Sequence, residues 1–532
     1  MLMTGLAVAP AAVPDVIAAP VHHAASSNTL VIAVDQNPDS LNELMYIYAV
    51  DQKPMELIYD GLYDYNYLGQ YTPALATSYT ESKNGLTWTF QLRHGVKWSD
   101  GQPFTSKDVW WTWKEITMPG VDISYAAGWN NISSVDTPNP YEVVFHLSKP
   151  YGPFMSSIGS WDWYGAQAIV PYHILGHMTA AQLNHASYND APIGTGPYVL
   201  QKWVQNSSLT FVRNPYYWGP KPKIAKIVFE VIPSTTTEML DLETGQVDIA
   251  SVPSADLAQA KTWPAVKVVP TITPTYEEIE LGEGLFLKQT PVRLALTHLT
   301  PKEQIVSSLL HGNATIAWGD QVPGGNYYDP SLPHVGYDPA LAVKELEQAG
   351  FKKVPAPGSP AGYYWQKDGK ILTVPIWAMS GIEPDDEIVQ VVAKSWAQYG
   401  VKTSANTESV SILFSAKGPL YHPGKDAAVI AYWGQGPLPY DGEIFNSKYK
   451  CPPGDNCGHY SNPLMDKATN AETNASPAQL KQLADEVQKL EISTAPAIFL
   501  YWEPDNIGMS VHVHGYIETP NGFSPPWMWS LS

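Results

Sequence analysis

Apolar residues along this chain recur with two periods, and the two alternate. Thr29–Val34 is a continuous apolar run of the kind that makes a buried strand, with a turn at Asp39-Ser40-Leu41-Asn42 after it. Leu86–Leu92 and Tyr141–Leu147 alternate apolar and polar positions, as half-buried strands do. Between them Thr105 begins a helix with Asp108 three residues on, the spacing of a capping box, and Val109, Trp110 and Trp113 follow at helical spacing. From 194 to 250 the order is hairpin, aromatic turn, strand, helix. Tyr198–Trp203 and Ser208–Arg213 flank a polar Gln205-Asn206-Ser207 turn, and the Ile- and Val-rich stretch 223–232 predicts a central strand. Thr235 and Glu238 predict a second capping box, Gly245 a helix C-terminus, and Val247-Asp248-Ile249 a return strand.

The same grammar continues to the end. Asp338-Pro339 opens a helix with Ala342, Leu346 and Ala349 on one face, closed by Gly350. Ile371–Trp377 reads as a strand, and Ile388, Val391, Val392, Trp396 and Tyr399 as one face of a helix closed by Gly400. Ser476-Pro477 opens a helix carrying Leu480, Leu483, Ala484, Val487 and Leu490, and Ala497–Trp502 reads as a strand. Strands alternating with helices predict an α/β protein.

A chain of 532 residues exceeds what one hydrophobic core serves, so two or more lobes are expected. No run approaches the ~18 apolar residues of a membrane-spanning helix. Lys and Arg number 31 against 51 Asp and Glu, a formal charge of −20, which argues against nucleic acid or anionic lipid as the main partner. The 19 Trp and 31 Tyr chiefly serve packing, with a minority expected to line a ligand cleft as flat surfaces. Cys451 and Cys457 enclose a Pro/Gly loop and are expected to form a local disulfide; a zinc site would need more ligands than the nearby His459. Residues 1–27 are Ala-, Val- and Pro-rich and carry no Lys or Arg. They read as a leader or signal remnant and are set aside from the fold.

Several unusual words recur in order: Gly194-Thr195-Gly196-Pro197-Tyr198, then Arg213-Asn214-Pro215-Tyr216-Tyr217-Trp218, then Gly245-Gln246-Val247-Asp248-Ile249. Gly85–Lys114, Val170–Leu175, Pro291–Leu296 and Asp338–Gly350 add further matched words. In this the chain closely resembles the peptide/nickel family of extracytoplasmic solute-binding proteins, the receptors of ABC importers. The resemblance covers residues 28 to about 510 and implies a class II, cluster C type periplasmic-binding-protein fold of two lobes joined by a crossed hinge. Lobe I is expected from 28–65, 194–275 and 497–532, an inserted subdomain from 66–193, and lobe II from 276–496. It implies an exported monomer that acts outside the cytoplasm, needs no cofactor, and delivers a small ligand to membrane permease subunits.

No nucleophile elbow, zinc-protease helix, phosphate loop or dinucleotide motif occurs. His94, His173, His177, His512 and His514 read as structural. Glu277-Glu278 and Asp385-Asp386 are adjacent in sequence; neighbours diverge on a strand and serve as first-turn anions on a helix. A hydrolase is therefore the minor reading. Peptide receptors of the family carry an acidic residue, in a W-x-x-D-Y word, for the ligand's ammonium. Here the corresponding loop keeps Trp433 and Gln435 but has Gly436 at the acidic position, with Asp441 able to replace it only if the loop shifts. Oligopeptide ranks first as ligand, with neutral oligosaccharide close behind and a nickel chelate open. Asp39 and Asn42 are candidates because their word lies near the family's cleft. Trp129, Trp163, Tyr276, Trp318 and Trp377 are candidates as aromatic walls.

Overall fold

The computed structural model describes residues 28–45, 53–124, 126, 128–161, 168–380, 384–413, 418–421, 425–435, 439, 442–450, 455–473, 475, 477–519 and 522–532. Its centre is an 11-stranded sheet. In spatial order this runs Ala405–Glu408, Ile376–Met379, Ala427–Gly434, Val266–Gly282, Ala497–Ser510, Ile249–Ser251, Thr29–Val34, Lys226–Val231, Ser208–Arg213, Tyr198–Val204, with Thr315–Ile316 also paired to Ala497–Ser510. Two strands, of 17 and 14 residues, stand in the middle and serve both halves of the molecule. The fold is α/β and two-lobed.

In the first lobe Thr29–Val34 lies parallel to Lys226–Val231, its apolar residues buried on both faces. One face packs on Leu41, Met55, Ile58 and Phe229, the other on Met239, Leu242 and Trp263. The Gly194-Thr195-Gly196 turn fits here because a Cβ on Gly194 would lie 1.9 Å from the Ile58 carbonyl oxygen. A four-stranded antiparallel sheet, Ala76–Glu81, Thr87–Leu92, Glu142–Leu147 and Ile132–Asn139, is inserted and shares a continuous core with this lobe through Trp88, Phe90 and Phe145. In the second lobe helices Thr290–His298 and Asp385–Gln398 cover one sheet face through Val292, Leu296, Val392 and Trp396. Helices Pro463–Thr473 and Pro477–Thr494 lie over the other, through Met465 and Val487.

Local chemistry accounts for most boundaries. Thr105 caps Ser106–Ile116 in a full capping box with Asp108, and Asp338 caps Pro339–Gln348 by accepting from the Leu341 amide at 3.0 Å. Gly245 adopts φ 75°, the left-handed conformation that suits glycine at a helix end. Helix Thr235–Thr244 departs from the expectation at its start: Ser234, not Thr235, is the cap, bonding the Thr237 amide. The strand expected over Ile371–Trp377 breaks into Lys370–Ile371 and Ile376–Met379, in different sheets, with Pro375 between them.

Candidate functional site

The long strands Val266–Gly282 and Ala497–Ser510 pair antiparallel from Val266 opposite Ser510 to Glu280 opposite Ala497. Their ladder is interrupted between Ile272 and Tyr276. At the break the Thr273 hydroxyl donates to Glu503 at 3.5 Å and the Gln435 amide donates to the Pro274 carbonyl at 2.8 Å. Paired strands with a short unpaired stretch, shared between two lobes, are the natural place for one lobe to rotate on the other.

Loops from both lobes gather at this break. Ile249–Ser251, parallel to Thr29–Val34, ends where the Ser251 hydroxyl meets Asp505 at 3.0 Å, so the loop leaving Val34 opens beside the hinge. On the other side Gly434 stands opposite Thr275, which brings the end of Ala427–Gly434 there too. The halves also touch away from the hinge. Asn326 donates to the Gly69 carbonyl, and a Cβ on Gly152 would lie 2.0 Å from the Ala475 carbonyl oxygen.

The expected ligand residues divide. Asp39 is exposed in the loop after Thr29–Val34 and lines a hollow of about 770 Å³ with Ser40, Asp122, Asn189 and Asp190. Asn42 is buried and holds that loop, donating to Asn189 Oδ1 at 2.8 Å and accepting from the Leu44 amide at 3.0 Å. Gln435 is buried against the hinge, and Trp433 is partly buried, its indole N–H donating to Glu280 at 3.2 Å. Trp163 and Asp441 lie outside the described residues.

The remaining expected aromatics all make contacts within the protein. Trp129 is 1% exposed in the first lobe's core, its N–H bonded to the Ser157 carbonyl, and Tyr276 is fully buried edge-on to Trp502. Trp377 packs on Met379, Leu420 and Val429. Trp318 stacks on His334 at 4.3 Å and lines a small pocket with Gln488 and Glu491. Large rings bury so much area that a core takes most of them. His173 bonds Asp100 at 2.7 Å, a structural contact. Cys457 is buried and disulfide-bonded, while Cys451 lies outside the described residues.

Carboxylates dominate the hinge. Burial, with Asp385 and Glu503 nearby, pushes the Glu277 carboxyl up to about 10. Burial pushes Asp385 up to about 7, with Glu503 and Asp386 adding to it. Glu503 is raised by burial, against the Thr273 hydrogen bond. Glu280 is pushed up to about 8 by burial in spite of the Trp433 bond. On the first-lobe side Lys53 pairs with Glu518 at 2.7 Å. Burial lowers the Lys53 pKa, but the Glu518 and Asp505 carboxylates outweigh it and raise the ammonium above its ordinary value.

Burial thus favours the protonated, neutral form of these carboxyls. Among the described residues no group of three or more His, Cys, Asp or Glu could hold a metal ion. Sequence patterning sets Glu277 and Asp385 aside because each is paired with an adjacent acid.

Residues 70–454 match the family model described as bacterial extracellular solute-binding proteins, family 5 Middle. The oligopeptide-binding protein AppA of Bacillus subtilis is 26% identical over 453 residues, 84% of this chain and 81% of AppA. Its structure with a nonapeptide superposes with a TM-score of 0.72, covering 95% of this chain and 99% of that one at 25% identity. The nickel-binding periplasmic protein of Escherichia coli is 28% identical over 503 residues, 88% of this chain and 90% of that protein. NikZ of Campylobacter jejuni, solved with Ni(L-His), superposes with a TM-score of 0.74 at 25% identity, covering 95% and 99% of the two chains. No helix among the described residues is long and apolar enough to cross a membrane. The family comprises binding proteins that work outside the cytoplasm with ABC importers, and with a two-lobed α/β fold and a family match over residues 70–454, this chain belongs to family 5 of the bacterial extracellular solute-binding proteins.

Proposed function

We propose that this protein captures an oligopeptide between its lobes outside the cytoplasm and hands it, unaltered, to the membrane subunits of an ABC importer. The observation that carries this reading is the near full-length superposition on a relative solved with a nonapeptide bound. The exposed Asp39 in the loop after Thr29–Val34 supports it, since a carboxylate pairs with a peptide's ammonium. Lobe I then comprises residues 28–65, 194–275 and 497–532 with the inserted 66–193, and lobe II 276–496. A ligand that touches both lobes shifts the balance toward the closed arrangement by its differential affinity for it.

A nickel chelate is the second reading, favoured by the 28% identity to the nickel-binding protein of Escherichia coli. A bound chelate would bring its own ligands, so a protein metal cluster is not required. Thermal-shift and calorimetric titration against di- to nonapeptides, nickel with histidine, and cello- and xylo-oligosaccharides separates these readings. A tight peptide at 100 times Kd adds about 2.7 kcal/mol to stability. Stabilisation by the nickel chelate or by sugars alone overturns the peptide assignment, and cleavage of any tested ligand overturns the receptor reading.

A further inference from the structure

A cavity of about 390 Å³ lies within the first lobe and takes no lining residue from the two long hinge strands. Its lining falls within residues 56–73, 197, 217–220 and 523–528, so the second lobe contributes nothing to it. Small-molecule sites have this size, ~300–1,000 Å³. Tyr65, Tyr217, Trp218 and Trp527 form its walls, with the Tyr217 and Trp527 ring centroids 6.1 Å apart. Three acids, Glu56, Asp60 and Asp64, line the same space. The walls are fixed by bonds made outside the cavity. Asn214 donates to the Gly196 carbonyl at 2.8 Å and accepts from the Tyr216 amide at 2.9 Å, which sets the turn carrying Tyr217 and Trp218. The Thr519 hydroxyl donates to the Tyr67 carbonyl at 2.7 Å and Lys53 pairs with Glu518 at 2.7 Å, which ties down the C-terminal segment.

Charge in this cavity is out of balance. Asp60 is 5% exposed and accepts from the Trp218 indole N–H at 2.9 Å. Asp64 accepts from the Gly61 amide at 3.1 Å through one oxygen, which leaves the other for a ligand. Burial raises all three carboxyls above their ordinary range, and the charge of Asp60 adds to the rise at Asp64. Among the described residues the cations acting on these acids are Lys53 and Arg93. Lys53 is taken up by Glu518, and Arg93 lies 4.3 Å over the Trp218 ring with its Nε donating to the Ala74 carbonyl at 2.9 Å. Three acids thus outnumber their counter-charges, a costly state that an entering cation relieves. A metal ion does not fit, since no group of acids among the described residues is placed to share one. A neutral sugar would stack on the rings and leave the charge uncorrected. An organic cation meets both features, because aromatic faces attract positive charge and cover an apolar body.

We propose that this cavity is a second ligand site, separate from the space between the lobes, and that it takes a small organic amine. The ammonium group sits among Glu56, Asp60 and Asp64, and the apolar body lies between the rings of Tyr65, Tyr217 and Trp527. Because every lining residue belongs to one lobe, occupancy does not require the lobes to close. The assignment is independent of which solute the interlobe cleft captures.

The test is calorimetric titration of wild-type protein and the Asp64→Asn and Trp527→Ala variants. The probes are phenethylamine and its neutral counterpart 2-phenylethanol. Wild type is expected to bind the amine at least about tenfold more tightly than the alcohol. Asp64→Asn should cut that preference at least about threefold, a comparison internal to the folded variant, and Trp527→Ala should weaken both probes about tenfold. A peptide that binds wild type, present at saturation, should leave the phenethylamine affinity unchanged. Equal affinity for the two probes, no binding of either, a preference untouched by Asp64→Asn, affinities untouched by Trp527→Ala, or displacement of phenethylamine by the peptide each overturns this site and leaves the peptide receptor standing. Binding of phenethylamine that responds to both variants, with no peptide bound, supports the site and overturns the peptide reading alone.

Discussion

Replacing Asp385 with asparagine probes the electrostatics of the hinge without any ligand. Burial, reinforced by Glu503 and Asp386, pushes the folded carboxyl from 3.8 up to about 7. Between those values the folded state keeps a proton that the unfolded chain has released. The contribution is therefore fully present below pH 3.8 and is lost progressively as the pH rises to about 7. The linkage slope is about 1.36 kcal/mol per pH unit for one proton, so the interval from pH 5 to pH 7 spans at most ~2.7 kcal/mol. Glu277 and Glu503 titrate together with Asp385, and half of that span, ~1–2 kcal/mol, is assigned to Asp385 itself. Asparagine has the same shape and does not ionise, and whatever its buried amide costs is independent of pH. Relative to wild type, the Tm of the Asp385→Asn variant should thus rise by ~1–2 °C between pH 5 and pH 7, since the unfolding entropy of a chain this long is about 1.1 kcal/mol/K. Scanning calorimetry of ligand-free protein at constant ionic strength measures this. Melting temperatures that stay parallel across the range would falsify the argument, because a carboxyl ionising near its ordinary value has no pH-linked term to remove there.

Gly152→Val puts a side chain where even a Cβ lies 2.0 Å from the Ala475 carbonyl, so the lobes should sit further apart, with a larger radius of gyration by X-ray scattering and weaker ligand binding. Scattering and affinity both unchanged would show that this contact does not govern closure. Lys53→Met leaves Glu518 and Asp505 without their cation and should destabilise the protein by about 3 kcal/mol, read by urea denaturation at pH 7. Thr105→Ala removes the capping box of Ser106–Ile116 and should cost ~1 kcal/mol in the same assay. We expect Cys457 to be bonded to Cys451, the other of the chain's two cysteines, so no free thiol should titrate in denaturant until a reductant is added.

Much of the fold is legible from short-range chemistry. The capping box at Thr105 and Asp108, the Asp338 cap, the glycine at 245 and the alternating Thr87–Leu92 strand each depend on contacts within a few residues. The Ser234 cap differs from the expected Thr235 because both hydroxyls suit the position and only the backbone path chooses between them. The strand Val266–Gly282 is illegible by the same means. Its run of Glu277, Glu278 and Glu280 resembles an exposed segment, and it becomes a buried strand by pairing with Ala427–Gly434 on one side and Ala497–Ser510 on the other. Trp129 and Tyr276 look like cleft walls in sequence, since nothing local distinguishes a ring that packs from a ring that binds.

Residue order alone determined the alternation of strands and helices, the caps and turns that bound them, and the matched words that mark the family. Tertiary structure alone decided that Val266–Gly282, glutamates included, is a buried strand between Ala427–Gly434 and Ala497–Ser510. Periodicity and capping act over one or two turns of chain, whereas the burial of that strand depends on how distant segments pair across the sheet.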